Sequence, residues 1–196
     1  EPLGIPVTEI PDELTFSRYK EEIAGCDLLV DAILGTGLDS EVRGFFREVI
    51  DFMNQAKPPV FSVDIPSGLH TETGKPCGIC IQAAATATFA FAKLGHMLLP
   101  GADYTGKLFI IDIGIPPHIV RSVAPRHQLL TGGWIRSRLP QRSSEAHKGQ
   151  TGHVLVAAGS TGKAGAAVMT ATSAMRAGAG LVTLAVPGGV HLAAER

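Results

Sequence analysis

Two acidic residues at the ends of apolar runs are the first candidates for chemistry. Asp31 stands inside Asp27-Leu-Leu-Val-Asp-Ala-Ile-Leu34, and Asp64 closes Val60-Phe-Ser-Val-Asp64. Burying a carboxylate is costly unless a cation or hydrogen-bond donors compensate. Each acid could simply accept backbone N–H bonds from neighbouring turns. Alternatively, the two converge on one pocket that holds a cation and a reacting substrate. Asp64-Ile-Pro-Ser67-Gly68 favours the second reading. Pro66 stiffens the turn, Gly68 permits a tight backbone, and Ser67 adds an oxygen close to the acid. Such oxygen ligands suit a hard cation.

The elements that would position these residues form an α/β pattern. Residues 27–34 are a nearly continuous apolar run ended by Gly35, as expected for a parallel strand covered on both faces. Val42, Phe45, Phe46, Val49, Ile50 and Met53 then form an amphipathic helical stripe, stopped by Lys57-Pro58-Pro59. Val60–Ile65 is a second apolar strand, so the three elements make a βαβ unit. Further strands are expected over Ala83–Ala92 and Lys107–Ile113. Gly35-x-Gly37-x-x-Ser40 is a broken dinucleotide fingerprint, predicted to follow a strand and open a helix at the sheet's carboxyl edge, where open α/β sheets bind ligands. A fresh α/β pattern starts at His153: a strand over Val154–Ala158, a helix over Gly165–Ala177 and a strand over Leu181–Val186. It breaks off at Arg196.

Composition narrows the classes. Of 196 residues, 45% are hydrophobic and 18% charged, which excludes a disordered tail and supports a buried core. The net charge of −1 argues against nucleic-acid or membrane-surface binding. No apolar run is long enough to cross a membrane, and no secretory signal is visible. Residues 118–150 set Arg121, Arg126, Arg136, Arg138, Arg142 and Lys148 against the single acid Glu145, with only Trp134 as an interleaved aromatic. They read as a solvated connector with a short helix near Trp134. Cys77-x-x-Cys80 lacks further ligands for a metal site, and with Cys26 it reads as small hydrophobes in a reducing cytoplasm. Gly159-Ser-Thr-Gly-Lys163 is not a P-loop, because Ala157 and Ala164 replace its first glycine and its hydroxyl residue.

Three blocks carry a resemblance. Asp31-Ala-Ile-Leu-Gly-Thr-Gly-Leu38, Val63-Asp-Ile-Pro-Ser-Gly-Leu69 and Thr88-Phe-Ala-Phe-Ala-Lys93 resemble the NAD(P)H-hydrate epimerases. His147-Lys-Gly-Gln-Thr-Gly-His-Val154, Ala157-Ala-Gly-Ser160, Gly165-Ala-Ala167 and Met175-Arg-Ala-Gly-Ala-Gly-Leu-Val182 are similar to the start of the ADP-dependent NAD(P)H-hydrate dehydratases, which have a ribokinase-like fold. Their order matches the bifunctional family with both activities on one chain. The resemblance implies the carboxyl-terminal part of a Rossmann-like three-layer epimerase domain over 1–122, a basic linker over 123–146, and the amino-terminal part of the dehydratase domain over 147–196. The epimerases' Asn-Gly-Gly-Asp and the dehydratases' Gly-Thr-Gly-Asp segments are missing, and the chain opens on Glu1. A piece of a longer protein, inactive alone, is therefore expected.

The resemblance also implies roles. Asp31 and Ser67 would contact a potassium ion. Gly35, Thr36, Gly37, Leu38, Asp39, Ser40 and Glu41 would bind hydrated NADH or NADPH, and Asp64 would be the acid/base at the epimerised carbon. Gly165 and Ala166 would lie near the dehydratase substrate. ADP or ATP would be the dehydratase's co-substrate, with magnesium also possible, its site mostly outside this chain. A cytoplasmic homo-oligomer is expected, with no nucleic-acid or membrane partner. A ribokinase-like small-molecule kinase and a non-catalytic nucleotide-binding module are the alternatives; the Asp-Ile-Pro-Ser-Gly half disfavours the first, and retention of both acids the second.

Overall fold

The computed structural model describes residues 4–139, 145, 149 and 151–190. Arg142 and the His147-Lys148 pair lie outside them. The chain divides into two compact units, Glu1–Leu129 and Leu130–Arg196.

The first unit is built on a four-stranded, all-parallel sheet in the order β1-β2-β3-β4. It opens with helix α1 (Glu13–Ala24), which lies before the first expected element. Asp12 caps it by accepting the Thr15 N–H at 2.7 Å. Strand β1 (Leu29–Asp31) is only three residues long, shorter than the apolar run predicts, because the chain turns once Asp31 meets its partners. Helix α2 (Gly44–Gln55) buries Ile50 and Met53, while Phe46 of the expected stripe faces outward and is half exposed. Phe16 of α1 packs edge-on against Phe45 and Phe52 of α2, with centroids 5.7 and 5.3 Å away.

Strands β2 (Val60–Val63) and β3 (Ala85–Phe89) follow, then helices α3 (Leu94–Met97) and α4 (Gly101–Thr105), strand β4 (Lys107–Ile111) and helix α5 (Pro117–Val123). Leu29, Val42, Ile50, Met53, Val60, Ile81 and Ala83 form the core beneath β1 and β2. Full burial of a side chain such as Ile50 stabilises the fold by roughly 1.5–3 kcal/mol. A smaller cluster joins Ile65, Leu69 and Cys80 behind the turn after β2. The cover on both faces expected for residues 27–34 is not found at β1, where Leu29 and Asp31 are buried but Val30 is 58% exposed. Strand β4 is more open still. Phe109, Ile110 and Ile111 are each more than 40% exposed, and alternate residues point to opposite faces, so both faces of β4 are open.

In the second unit, helix α6 (Gly132–Arg136) surrounds Trp134 and is capped by Thr131. Strands β5 (His153–Ala157) and β6 (Leu181–Ala185) pair in parallel across helix α7 (Ala164–Ala177). Gly178, at φ +114°, ends α7 in the left-handed conformation that glycine tolerates.

Gly68 is where the backbone has least freedom. Its φ is +94°, and a Cβ there would meet the Ile79 carbonyl oxygen at 2.0 Å. A Cβ on Gly37 would meet nothing within 4 Å. Gly68→Ala is therefore expected to cost about 3 kcal/mol or more, and Gly37→Ala no more than about 0.5 kcal/mol. Denaturant unfolding of the intact protein checks the difference.

Candidate active site at the carboxyl ends of β1 and β2

Asp31 and Asp64 lie at the same edge of the sheet. Asp31 is the last residue of β1 and pairs with Ser62; Asp64 is the first residue beyond β2. Their environments differ in kind.

Asp31 is fully buried. One oxygen accepts from the Ser62 hydroxyl and the Ser67 N–H, both at 2.8 Å. The other accepts from the Ser67 hydroxyl at 2.5 Å and the Ile33 N–H at 3.3 Å. All four donors are neutral, and among the described residues no basic side chain forms an ion pair with it. Neutral donors lessen the desolvation cost of a carboxylate but do not balance its charge. Ser67 extends the network: its Oγ accepts the Leu34 N–H at 2.8 Å and lies 3.2 Å from the Leu34 carbonyl. Thr71 donates to the Thr36 carbonyl at 3.0 Å. The turn after β2 thus holds the start of the loop after β1.

That loop is not the expected bend into a helix. Helix α2 begins at Gly44, well past Gly35 and Gly37, after Arg43 in extended conformation. The chain stays irregular because Val42 must reach the core and donate to the Cys77 carbonyl at 2.9 Å. Gly35, Thr36, Gly37, Asp39, Ser40 and Glu41 are exposed and Leu38 is half-buried. Glu41 is paired with Arg43 at 2.8 Å. Cβ atoms on Gly35 and Gly37 would meet nothing within 4 Å. The loop's two glycines therefore leave open space beside the backbone rather than relieving a clash.

Asp64 sits at φ +68°, a left-handed conformation rare for any residue but glycine. Its N–H donates to the Ala87 carbonyl at 2.8 Å, which ties it to β3. Three donors converge on Oδ1: the Thr88 hydroxyl and the Phe89 N–H, each at 3.1 Å, and the Lys93 ammonium. Among the described residues nothing bonds Oδ2, and the side chain is 23% exposed. Partial burial raises the Asp64 pKa, but the hydrogen bonds from Lys93 and Phe89, the Lys93 charge and the Thr88 hydroxyl outweigh it and hold the pKa below the ordinary carboxylate value. The base form is the stable form. Residue type and spacing give Thr88 and Lys93 no role; the signal in the sequence that could have found them is their place in the Thr88–Lys93 block.

His96 stands behind this group. It is 1% exposed, its Nδ1 accepts the Lys93 N–H at 3.2 Å, and its Nε2 has no hydrogen-bond partner among the described residues. Burial first, then the Lys93 charge, push its pKa down to about 4 against an opposing pull from Asp64. Cys80 is buried, donates to the Ile81 carbonyl at 3.3 Å, and has its thiol pKa raised by burial and by Asp31. It is not poised as a nucleophile. Gly165 and Ala166 lie in the first turn of α7, in the second unit, both exposed. A cleft of about 370 Å³ between Met53, Pro58, Val60 and Ala84 has no titratable lining residue and opens at the amino ends of β2 and β3, away from both carboxylates.

Because His96 is neutral when folded, the unfolded chain binds its proton first on acidification. Stability should fall as pH drops from about 6.5 to about 4 and level off below for this group. His96→Asn, whose Oδ1 can accept the same Lys93 N–H, should flatten that part of the curve. Denaturant unfolding across this pH range measures it.

Residues 2–95 match the family described as YjeF-related protein N-terminus. The chain is 49% identical over 164 residues to the bifunctional NAD(P)H-hydrate repair enzyme Nnr of Moorella thermoacetica, covering 84% of this chain and 31% of the relative. It is 36% identical over 185 residues to the protein of the same name from Coxiella burnetii (94% and 36% covered) and 38% identical over 194 residues to that of Hyperthermus butylicus (98% and 34% covered). The chain spans about a third of the length of these curated relatives. Residues 2–95 thus match the YjeF-related N-terminal family, and the chain is similar over most of its length to proteins named as bifunctional NAD(P)H-hydrate repair enzymes.

Proposed function

We propose that this chain carries part of an NAD(P)H-hydrate epimerase joined to the start of an ADP-dependent dehydratase. The first unit, with its all-parallel sheet, fits the carboxyl-terminal half of a Rossmann-like three-layer domain (1–122), followed by a linker (123–146). The β5-α7-β6 unit fits the start of a ribokinase-like domain (147–196). The observation that carries the epimerase reading is the division of labour within Asp64: Oδ1 is held by three donors, while among the described residues nothing bonds Oδ2.

The substrate would be hydrated NADH or NADPH, whose hydroxyl sits on the carbon next to the ring nitrogen. Asp64 Oδ2 takes the hydroxyl proton as general base. The oxygen's electrons form a carbonyl as the carbon–nitrogen bond breaks, and its electron pair goes to nitrogen. Nitrogen then adds to the other face, and Asp64 returns the proton to oxygen. Both epimers interconvert without a redox partner, and every proton and electron pair is recovered. The free Oδ2 and the lowered pKa support Asp64 in this role.

Residues 35–41 would hold the substrate, where exposed backbone and the open space beside Gly35 and Gly37 admit a polar chain. Asp31 and Ser67 would hold potassium: the donor set is all oxygen, and Asp31's buried charge has no basic partner among the described residues. When bound, the ion supplies positive charge against Asp31 and the substrate's anionic groups. Gly165 and Ala166 would approach the dehydratase substrate through the free N–H groups of α7's first turn. ADP would be that reaction's co-substrate, with magnesium as its companion ion. We also infer a cytoplasmic homo-oligomer.

Each purified epimer of hydrated NADH, given to the intact protein with and without ADP and potassium, tests the reading. Recovery of reduced-cofactor absorbance from both epimers only when ADP is present is the expected result; recovery from one epimer alone would contradict the epimerase assignment. Asp64→Asn should slow epimer exchange by about 10²-fold or more while thermal unfolding stays close to that of the parent protein. Asp31→Asn should abolish the response of exchange to potassium, measured as rate against potassium concentration at constant ionic strength.

A further inference from the structure

The three anchors of Asp64 Oδ1 differ in origin. Thr88 and the Phe89 N–H belong to β3 and come with the strand. Lys93 arrives over a reversal of the chain: Ala90 has φ +60°, its N–H donates to the Ile111 carbonyl at 2.8 Å, and Phe91 N–H turns back to the Phe89 carbonyl at 2.7 Å. That reversal brings the lysine back over the end of its own strand.

Lys93 is held at both ends. At the backbone its N–H is taken by the buried His96 ring, and the His96 N–H returns to the Lys93 carbonyl at 3.1 Å. At the tip, Nζ contacts Asp64 Oδ1, lies 2.7 Å from the Thr88 hydroxyl, and reaches the Phe89 carbonyl at 3.5 Å. Three ammonium protons thus face three acceptors. The side chain is only 20% exposed, unusual for a residue that normally keeps its charge in water. A lysine serving mainly solubility would not be confined this way.

Resting on the epimerase reading, we propose that Lys93 is the positioning residue of Asp64: it commits Oδ1 and leaves Oδ2 as the one oxygen presented to substrate. Lys93 and His96 are the titratable groups that face Asp64 among the described residues, and His96 is uncharged at neutral pH. The lysine charge is therefore the one that favours the ionised base. Without it, Thr88 and Phe89 still hold Oδ1, but the carboxyl takes up a proton at higher pH and is less narrowly oriented. Misplacement of a catalytic group by about 1 Å can cost about 10²-fold in rate.

The test uses the intact protein with Lys93→Met and Lys93→Arg. Two quantities are read: the pH dependence of kcat/KM for epimer exchange, and the titration of the Asp64 carboxyl by carbon NMR. In Lys93→Met, kcat/KM at neutral pH should fall by about 10²-fold, and both the acid limb and the carboxyl titration should move to higher pH. Lys93→Arg should keep the titration near that of the parent, because the charge remains, while recovering only part of the rate, because guanidinium geometry differs. An unmoved Asp64 titration in Lys93→Met would overturn the proposal even if activity falls, since a merely structural lysine gives that pattern. Unchanged kcat/KM would also overturn it. Absence of epimer exchange in the parent protein would instead sink the epimerase reading, and the NMR titration would still report on the Lys93–Asp64 pair.

Discussion

The buried carboxylate of Asp31 is the constraint on which the site's architecture rests. It is the end of β1, and its four hydrogen bonds reach the neighbouring strand through Ser62, the following turn through Ser67, and its own loop through Ile33. Removing the acceptor would take the carboxylate from two hydroxyls and two backbone donors, of which, among the described residues, the Ser67 hydroxyl alone has another acceptor in reach at the Leu34 carbonyl, and orphaned buried donors cost roughly 1–3 kcal/mol each. Ser67 passes this constraint to Leu34, so the loop over 35–41 starts from a fixed point. Asp64 is three residues before Ser67 in the same turn, and its left-handed backbone is held between β2 and β3. Asp64 thus shares with the Asp31 network the turn that carries Ser67.

The two acids show how environment separates roles that composition leaves equal. Asp31 has both oxygens committed to neutral donors and no exposure. Asp64 has one oxygen crowded by a cation and two neutral donors, and one oxygen open. The first arrangement organises backbone and leaves negative charge for a cation to meet. The second gives an ionised base with a defined direction. The two acids stand at the same edge of the sheet, and the fold gives each its own set of hydrogen-bond donors.

Much of this was legible in the residues. The β1-α2-β2 unit, the breaks at Lys57-Pro58-Pro59 and Pro66-Ser67-Gly68, and the parallel pairing followed from apolar runs and turn chemistry. Helix α1 escaped because its apolar face is narrow: Phe16 is its one buried residue, and its cap at Asp12 is easily lost in a polar stretch. The start of α2 was misread because Val42 is buried and falls in helical phase, although it lies two residues before the helix. The partner of Asp64 was illegible for a topological reason. Lys93 is distant in sequence and reaches the acid only because the chain reverses at Ala90, which no periodicity records. The open faces of β4 were also hidden, since an apolar strand reads the same whether or not something covers it.

The claim at the centre is that one oxygen of Asp64 is reserved for the substrate. A crystal structure of the intact protein with hydrated NADH bound addresses it most directly. The account expects Oδ2 within about 2.6–3.2 Å of the ring-carbon hydroxyl, with Oδ1 still on Lys93, Thr88 and the Phe89 N–H. A substrate hydroxyl resting on Asp31, or an Asp64 turned so that Oδ2 faces away from the ring, would contradict it.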